Sequence, residues 1–312
     1  MSRDAVPTVF VTGASGFIGL ELVKVLVASG FQVYGLVRSP ESKRRVQRAG
    51  GTAIRGDLLV PGQWQDEAAA DWVFHIPPSA GARVPFWKRA KRVGCTRARM
   101  DEHLLDAVAA GATRRVVYVA DSLCYGATGP RPVTEDELSL SRGRGWCLAP
   151  SLDRLDGYVI SGLPVVTALP GCVYGNASWF RDRIAAPIND GRRVVQFGAA
   201  SPWLSPIHVH DCARALIHVA AQGEVGGRYF LANNEQVRLN EFAQTFARLT
   251  NQQLRVWRIP ARAARLLCDR RLTDYAGGDH AYSNIRLRGT GFRFRYPTLE
   301  QGIKELLRAP DE

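Results

Sequence analysis

A glycine-rich turn near the start of the chain constrains the fold most strongly. Residues 11–19 of the 312-residue sequence read VTGASGFIG, with a predicted strand directly before them and a predicted helix directly after. Gly13 permits a tight turn, Gly16 lets a ligand approach the backbone, and Gly19 lets the helix pack close to the strand. Because the first amides of a helix lack intrahelical partners, this arrangement predicts a phosphate-binding turn.

The alternation of strands and helices in the first half of the chain predicts the fold class. Strands are predicted at residues 8–11, 32–37, 52–55, 72–76, 115–120 and 165–169, and helices at residues 17–29 and 100–110. Right-handed connections between such units give a doubly wound parallel sheet. We therefore predict an α/β protein whose residues 1–171 form a Rossmann domain.

The remainder of the sequence changes character after Gly171. Pro and Gly become frequent, a brief strand is predicted at residues 228–231, and helices are predicted at residues 210–221, 239–250 and 298–307. Asp211 is placed to cap the first of these helices. We expect residues 172–312 to form a smaller C-terminal substrate lobe, with residues 207–222 packing back on the Rossmann domain.

The end of the second predicted strand distinguishes between two dinucleotides. NAD sites usually place a carboxylate there to bind the ribose 2′-hydroxyl, whereas this strand ends Val37-Arg38-Ser39. A guanidinium pairs well with a phosphate, so the sequence predicts NADP(H), with Lys43 and Arg44 close enough to contribute. The alternatives are that Arg38 is an ordinary surface residue and that the glycine turn binds no ligand.

Composition narrows the class of protein. The formal net charge is +12 and only five residues are lysine. The stretch from Arg83 to Arg99 carries seven basic residues and no acid, which indicates either an anion-attracting surface or, the reading we favour, a solvated helix face. The six cysteines are too widely spaced to predict a metal site or a disulfide framework.

The sequence carries no evident targeting signal and no motif for a macromolecular partner. No apolar run approaches the ~20 residues of a membrane span, and neither a signal peptide nor a nucleic-acid-binding module is evident. We therefore expect a cytoplasmic protein that acts on a small molecule, without a membrane or nucleic-acid partner.

Motifs spread over nearly the whole chain resemble those of the extended short-chain dehydrogenase/reductase superfamily, which includes NAD-dependent epimerases and dehydratases. The matching segments are residues 12–19 (TGASGFIG), 56–58 (GDL), 73–75 (VFH), 117–119 (VYV), 170–175 (PGCVYG), 206–211 (PIHVHD), and 291–292 with 296–297 (GF and YP). The resemblance implies a nucleotide-cofactor enzyme, with His208 and His210 supporting the fold and with a possible homodimer formed through the helices that follow the fourth and fifth strands.

The resemblance also implies a set of cofactor contacts. Asp57 and Leu58 would contact the adenine, Ile76 and Pro77 the nicotinamide ribose, and Pro170 and Val173 the nicotinamide region. The glycine turn would contribute Gly13, Ser15, Gly16, Phe17, Ile18 and Gly19.

The catalytic positions of the superfamily are altered in this chain. Its redox members use a Tyr-x-x-x-Lys pair and a Ser or Thr after the fifth strand, but here no lysine lies between Lys91 and Lys304. By position, Cys147 and Ser151 fall closest to the missing pair. Asp121 takes the position of the Ser or Thr, or Ser122 does if the loop is one residue shorter.

A replacement proton donor is therefore expected near the end of the fifth strand. We favour Asp121, because a partly buried carboxyl group there would have a raised pKa. Ser122, Tyr125 and Cys147 are the other candidates, and His75 is interpreted as a packed residue.

Two functions remain open from the sequence. The first is an NADPH-dependent reductase of a carbonyl or imine-type small molecule with a non-standard proton donor. The second is a protein that binds NADP(H) without redox turnover, as a sensor, a scaffold, or a non-redox isomerase or lyase.

Overall fold

The computed structural model describes residues 6–76, 86–125, 127–137, 149–198, 201–260, 263 and 278–308, with the backbone alone described at 86–95, 123, 124, 149 and 150. Two candidate site residues, Pro77 and Cys147, lie outside the described residues.

The described residues form fifteen strands. They are β1 (Thr8–Thr12), β2 (Gln32–Val37), β3 (Thr52–Arg55), β4 (Trp72–His75), β5 (Arg115–Val119), β6 (Gly129–Val133), β7 (Val165–Pro170), β8 (Cys172–Tyr174), β9 (Val194–Phe197), β10 (Trp203–Leu204), β11 (Pro206–His208), β12 (Arg228–Leu231), β13 (Val237–Arg238), β14 (Val256–Ile259) and β15 (His280–Tyr282).

The helices connect and cover these strands. They are α1 (Phe17–Ala28), α2 (Pro40–Arg48), α3 (Trp64–Glu67), α4 (Phe86–Ala109), α5 (Ala149–Ile160), α6 (Ala186–Asn189), α7 (Val209–Gln222), α8 (Leu239–Leu249), α9 (Ile285–Gly289) and α10 (Leu299–Arg308). A 3₁₀ turn spans Ser122–Tyr125, and a π-helical turn, Arg181–Ala185, precedes α6.

A seven-stranded sheet in the order β12-β7-β5-β4-β1-β2-β3 confirms the predicted α/β Rossmann fold. The pairings among β1 to β5 and β7 are parallel. The chain leaves β1 toward β2 and β3 on one side, and later adds β4, β5 and β7 on the other. The switch point between β1 and β4 is the position at which such sheets bind their ligands.

Most predicted elements are confirmed within one residue at each end. The exception is α4, which begins at Phe86 rather than at residue 100. The prediction was too short because the basic stretch has no apolar repeat of helical period, so periodicity alone could not extend the helix through it.

Two compact units divide the chain. The first comprises Met1–Asp121, Trp146–Leu169 and Cys212–Tyr229, and the second comprises Ser122–Gly145, Pro170–Asp211 and Phe230–Glu312. The chain therefore passes between units several times, whereas the sequence predicts one boundary at residue 171 and one return. That the second unit binds the substrate stays a prediction.

An aromatic core organises the second unit. Tyr174, Phe180 and Phe242 are almost completely buried, and Phe242 makes edge-on contacts with Tyr174 at a centroid distance of 5.1 Å. Ile303 of α10 closes this core. No helix in the described part of the chain combines the length and the apolarity needed to cross a membrane.

Asp211 does not cap α7 as the sequence suggests, because it lies inside the first turn of the helix. Its two carboxylate oxygens accept hydrogen bonds from the amides of Arg295 and Tyr296, each at 2.8 Å. The ring of His208 takes the capping role, since its Nδ1 accepts a hydrogen bond from the amide of His210 at 3.2 Å. The structural interpretation of both histidines fits these contacts.

Candidate nucleotide-binding site

The glycine turn after β1 leaves the start of α1 open. Gly13 has φ +65°, a conformation that side chains rarely adopt. The amide of Gly16 donates to the carbonyl of Gly13 at 2.9 Å, which closes the turn. Gly16 precedes α1 without a side-chain cap, and the first turn of the helix holds no acidic residue. The first amides of α1 and the positive end of its dipole are thus directed to a site that suits an anionic ligand.

The spacing of the three glycines follows from close backbone contacts. A Cβ atom at Gly13 would lie 2.0 Å from the carbonyl oxygen of Ile76, and one at Gly19 would lie 2.2 Å from the carbonyl oxygen of Gly13. A Cβ at Gly16 would lie 3.1 Å from that same oxygen and is otherwise open. Gly13 and Gly19 are therefore required by the fold, whereas Gly16 leaves space for a ligand.

The turn also meets the end of β4 at the switch point. Ile76 directly follows β4 and is buried, and its amide donates to the Thr12 hydroxyl at 3.2 Å. Its predicted neighbour at the nicotinamide ribose, Pro77, lies outside the described residues. Ser15, Phe17 and Ile18 are each half-buried, as expected for residues that border an open turn.

The end of β2 carries an exposed guanidinium. The Arg38 side chain is 64% exposed, and its Nη1 lies 4.0 Å from an oxygen of Asp57. At this exposure and distance the pair contributes little to stability, so the guanidinium is available to a ligand. Ser39 caps α2 by accepting the amide of Ser42 at 3.1 Å, which places Arg38 directly before a helix N-terminus.

Asp57 and Leu58 form the neighbouring turn after β3. Asp57 accepts the amide of Leu59 at 3.0 Å, which fixes its carboxylate. Leu58 is buried, and its carbonyl oxygen lies 2.8 Å from His103 Nδ1. Leu58 is thus buried beside Asp57, whose carboxylate lies 4.0 Å from the Arg38 guanidinium.

A buried polar network lies beneath the switch point. His75 Nε2 is 2.9 Å from Asp101 Oδ1, and Asp101 also receives Arg97 Nε at 3.0 Å and the Tyr118 hydroxyl at 2.9 Å. The Thr12 hydroxyl lies 2.7 Å from His75 Nδ1. Four elements, β1, β4, β5 and α4, are thus joined by hydrogen bonds through one carboxylate.

The ionisation states in the network follow from burial and pairing. Burial lowers the pKa of His75 and outweighs the opposite effect of Asp101, so the ring is neutral. Burial would raise the pKa of Asp101, but the hydrogen bond from His75 and the Arg97 charge hold that pKa below its usual range. The Thr12 hydroxyl already accepts an amide, so it donates to His75 Nδ1, and the ring proton on Nε2 faces Asp101.

The four candidate proton donors have different surroundings. Asp121 follows β5 and is exposed, so the partial burial predicted for it is wrong. Ser122 and Tyr125 are buried in the second unit, where the Ser122 carbonyl accepts the Tyr282 hydroxyl at 3.3 Å. Cys147 lies outside the described residues.

The expected contacts of the nicotinamide region belong to β7 and β8. Pro170 is the last residue of β7 and is buried. Val173 is half-buried in β8, pairs with Ile207, and accepts Trp179 Nε1 at its carbonyl at 2.9 Å. That Pro170 and Val173 contact the nicotinamide region of a cofactor stays a prediction.

Sequence reasoning missed Arg97 and Asp101. The solvated-face reading of the basic stretch is wrong for Arg97, whose side chain is only 11% exposed. The sequence did contain a signal for Asp101. Its spacing to Leu104, Leu105 and Val108 places this carboxylate on the apolar face of the helix. A carboxylate on such a face is buried and needs partners, and an arginine four residues earlier is one turn away.

These features define the class of protein. An open glycine turn at the switch point of a parallel sheet is the nucleotide site of a Rossmann protein. Residues 9–144 match the NAD dependent epimerase/dehydratase family model. Over these residues the chain is similar to this family of NAD-dependent enzymes.

Similar proteins include reductases and epimerases. The chain is 28% identical over 270 residues to 4-hydroxy-2-methyl-3-oxo-4-farnesyl-3,4-dihydroquinoline-1-oxide ketoreductase of Stigmatella aurantiaca, covering 82% of this chain and 77% of that protein. It is 27% identical to dTDP-4-dehydro-6-deoxy-D-allose reductase of a Streptomyces species, covering 77% and 80%. The solved structure of UDP-glucuronic acid 4-epimerase from Bacillus cereus shares the fold, with a TM-score of 0.80, 16% identity and coverage of 96% and 99%.

Proposed function

We propose that the protein is an NADPH-dependent reductase of a carbonyl or imine-type small molecule. The observation that carries the cofactor choice is Arg38, an exposed guanidinium where NAD sites place a carboxylate. The open α1 N-terminus fits the pyrophosphate. The names of the two reductase relatives support a carbonyl substrate.

The roles of the residues follow from their positions. The first amides of α1 would hold the pyrophosphate, Arg38 the 2′-phosphate, and Leu58 the adenine. When bound, NADPH supplies a hydride to the electrophilic carbon of the substrate. Asp121 then gives a proton to the substrate oxygen or nitrogen, so the product gains one hydride and one proton.

The exposure of Asp121 is compatible with this role. A bound cofactor and substrate would exclude water from the end of β5, and loss of hydration raises the pKa of a carboxyl group. A carboxyl group that remains protonated near neutral pH is a suitable general acid.

Calorimetric titration with NADPH and NADH tests the cofactor choice. We expect tighter binding of NADPH, and a loss of about tenfold (~1.4 kcal/mol) for NADPH alone in Arg38→Ala. Arg48→Ala, which removes an exposed arginine at the other end of α2, is the matched control and should leave both affinities unchanged. Equal affinities for the two cofactors in the unmodified protein would contradict the proposal.

A screen of ketones, imines and nucleotide sugars for NADPH oxidation tests the reaction. Once the screen has identified a substrate, Asp121→Asn should lower the turnover rate by a factor of about 10²–10⁴ and leave the affinity for NADPH unchanged. An Asp121→Asn variant as fast as the unmodified protein would remove Asp121 from the mechanism. Tight NADPH binding without turnover of any substrate would favour the binding-only function.

A further inference from the structure

The guanidinium of Arg97 lies at the carboxyl end of β5 and contacts three groups. Its Nε is 3.0 Å from Asp101 Oδ1 and 2.9 Å from the Tyr118 hydroxyl, and its Nη2 donates to the carbonyl of Val119 at 3.0 Å. The guanidinium carbon also lies 4.9 Å from the centre of the Tyr118 ring. Val119 is the last residue of β5, and Asp121 comes two residues later.

A contribution to the stability of the fold does not by itself explain the buried pair of Arg97 and Asp101. Arg97 and Asp101 are only 11% and 4% exposed, and the desolvation of such a pair commonly offsets its Coulomb attraction. The planar guanidinium of Arg97 carries several donors at fixed angles, so it holds several acceptors in one relative orientation.

The anchor of the guanidinium is itself fixed. Asp101 is held by His75 and Tyr118 at 2.9 Å each, so the carboxylate cannot rotate without breaking these bonds. Asp101 therefore ties α4 to β4 and β5, and Arg97 in turn ties α4 to the Val119 carbonyl at the end of β5.

We propose that Arg97 is a positioning residue that holds the Val119 carbonyl and thereby fixes the orientation of Asp121. The part of this inference that concerns turnover rests on the proposed function, in which Asp121 is the proton donor. Arg97 itself touches neither cofactor nor substrate in this scheme.

Arg97→Lys separates charge from geometry. A lysine keeps the ion pair with Asp101, but it lacks the planar fork whose second nitrogen, Nη2, reaches the Val119 carbonyl. Arg99→Lys is the matched control, since Arg99 is exposed on the same helix.

Hydrogen exchange gives a readout that does not need a substrate. The Ala120 amide donates to the Ala168 carbonyl at 2.9 Å and reports directly on the end of β5. In Arg97→Lys we expect its exchange to accelerate by about tenfold, while amides of β2 keep their rates and the affinity for NADPH is unchanged. In Arg99→Lys no amide should change.

Steady-state kinetics gives the second readout. With a substrate, Arg97→Lys should lower kcat by about tenfold and leave KM unchanged, because only the placement of the proton donor is altered. If the unmodified protein turns over no substrate, the proposed function fails, and the exchange data alone decide the positioning inference. Unchanged Ala120 exchange, acceleration spread over the sheet, or loss of folding or NADPH binding in Arg97→Lys would each overturn it.

Discussion

The glycine turn serves both the fold and the approach of a ligand. Substitution of Gly13 or Gly16 by alanine separates these two roles. The sequence places Gly13 and Gly16 in one surface turn and predicts that the fold tolerates a side chain at either. The structure contradicts this for Gly13, because a Cβ there would lie 2.0 Å from the Ile76 carbonyl oxygen. At Gly16, which has φ −75°, the nearest atom would be 3.1 Å away.

The expected magnitudes follow from these contacts. Gly13→Ala forces a side chain into the left-handed region, which costs about 1–2 kcal/mol, and the overlap with backbone adds about 1–3 kcal/mol. Gly30→Ala is a matched control, since Gly30 also has positive φ but nothing lies within 4 Å of its Cβ position. It should lose only the first of these contributions. Gly16→Ala should be close to the unmodified protein in stability.

Urea unfolding with and without NADPH measures both effects. Gly16→Ala should keep its unfolding midpoint but gain little from NADPH, with the dissociation constant raised at least tenfold (~1.4 kcal/mol) by the methyl group that faces the pyrophosphate. Gly13→Ala should unfold at lower urea than Gly30→Ala. Equal stability of these two variants would refute the backbone overlap at Gly13. Full stabilisation of Gly16→Ala by NADPH would refute our placement of the phosphates.

Three further predictions concern the second unit. The buried Tyr174 hydroxyl has no hydrogen-bond partner among the described residues, so Tyr174→Phe should leave the free energy of unfolding unchanged or raise it by up to about 1 kcal/mol; a clear loss would show that the hydroxyl is paired. A Cβ at Gly302 would lie 1.9 Å from that hydroxyl, so Gly302→Ala should destabilise the protein. The loss should be smaller in the Tyr174→Phe background, which a double-mutant cycle in urea measures. Burial raises the pKa of Glu135 from 4.5, although its Oε1 accepts the Phe230 amide at 2.6 Å and Arg286 lies near its other oxygen. The folded state then holds the proton more tightly than the unfolded state, so this residue lowers stability as pH rises above about 4.5. Glu135→Gln should therefore be more stable than the unmodified protein near pH 8, by an amount that shrinks on acidification; a constant difference at all pH values would contradict this sign.

The geometry of the glycine turn was largely predictable from the sequence because its determinants are local. Gly13, Gly16 and Gly19 lie within one turn, and their order between a strand and a helix specifies the geometry without information from distant residues. The position of Arg38 at the end of β2 follows from the same local pattern. Strand bounds were predictable for the same reason, since the β-branched runs are short and, except in the edge strand β3, mostly buried.

The buried network and the state of Asp121 depended on the tertiary structure. Arg97 belongs to a basic stretch that looks solvated in sequence, and only the packing of α4 on β4 and β5 brings its guanidinium to Asp101 and Val119. Asp121 looked partly buried because it follows an apolar strand, yet it is exposed. Exposure, pairing and pKa are set by what the rest of the chain places around a side chain, which no local pattern contains. The sequence by itself determined the fold class and the glycine turn, whereas the three-dimensional packing decided which charges are buried and which side chains they hold in place.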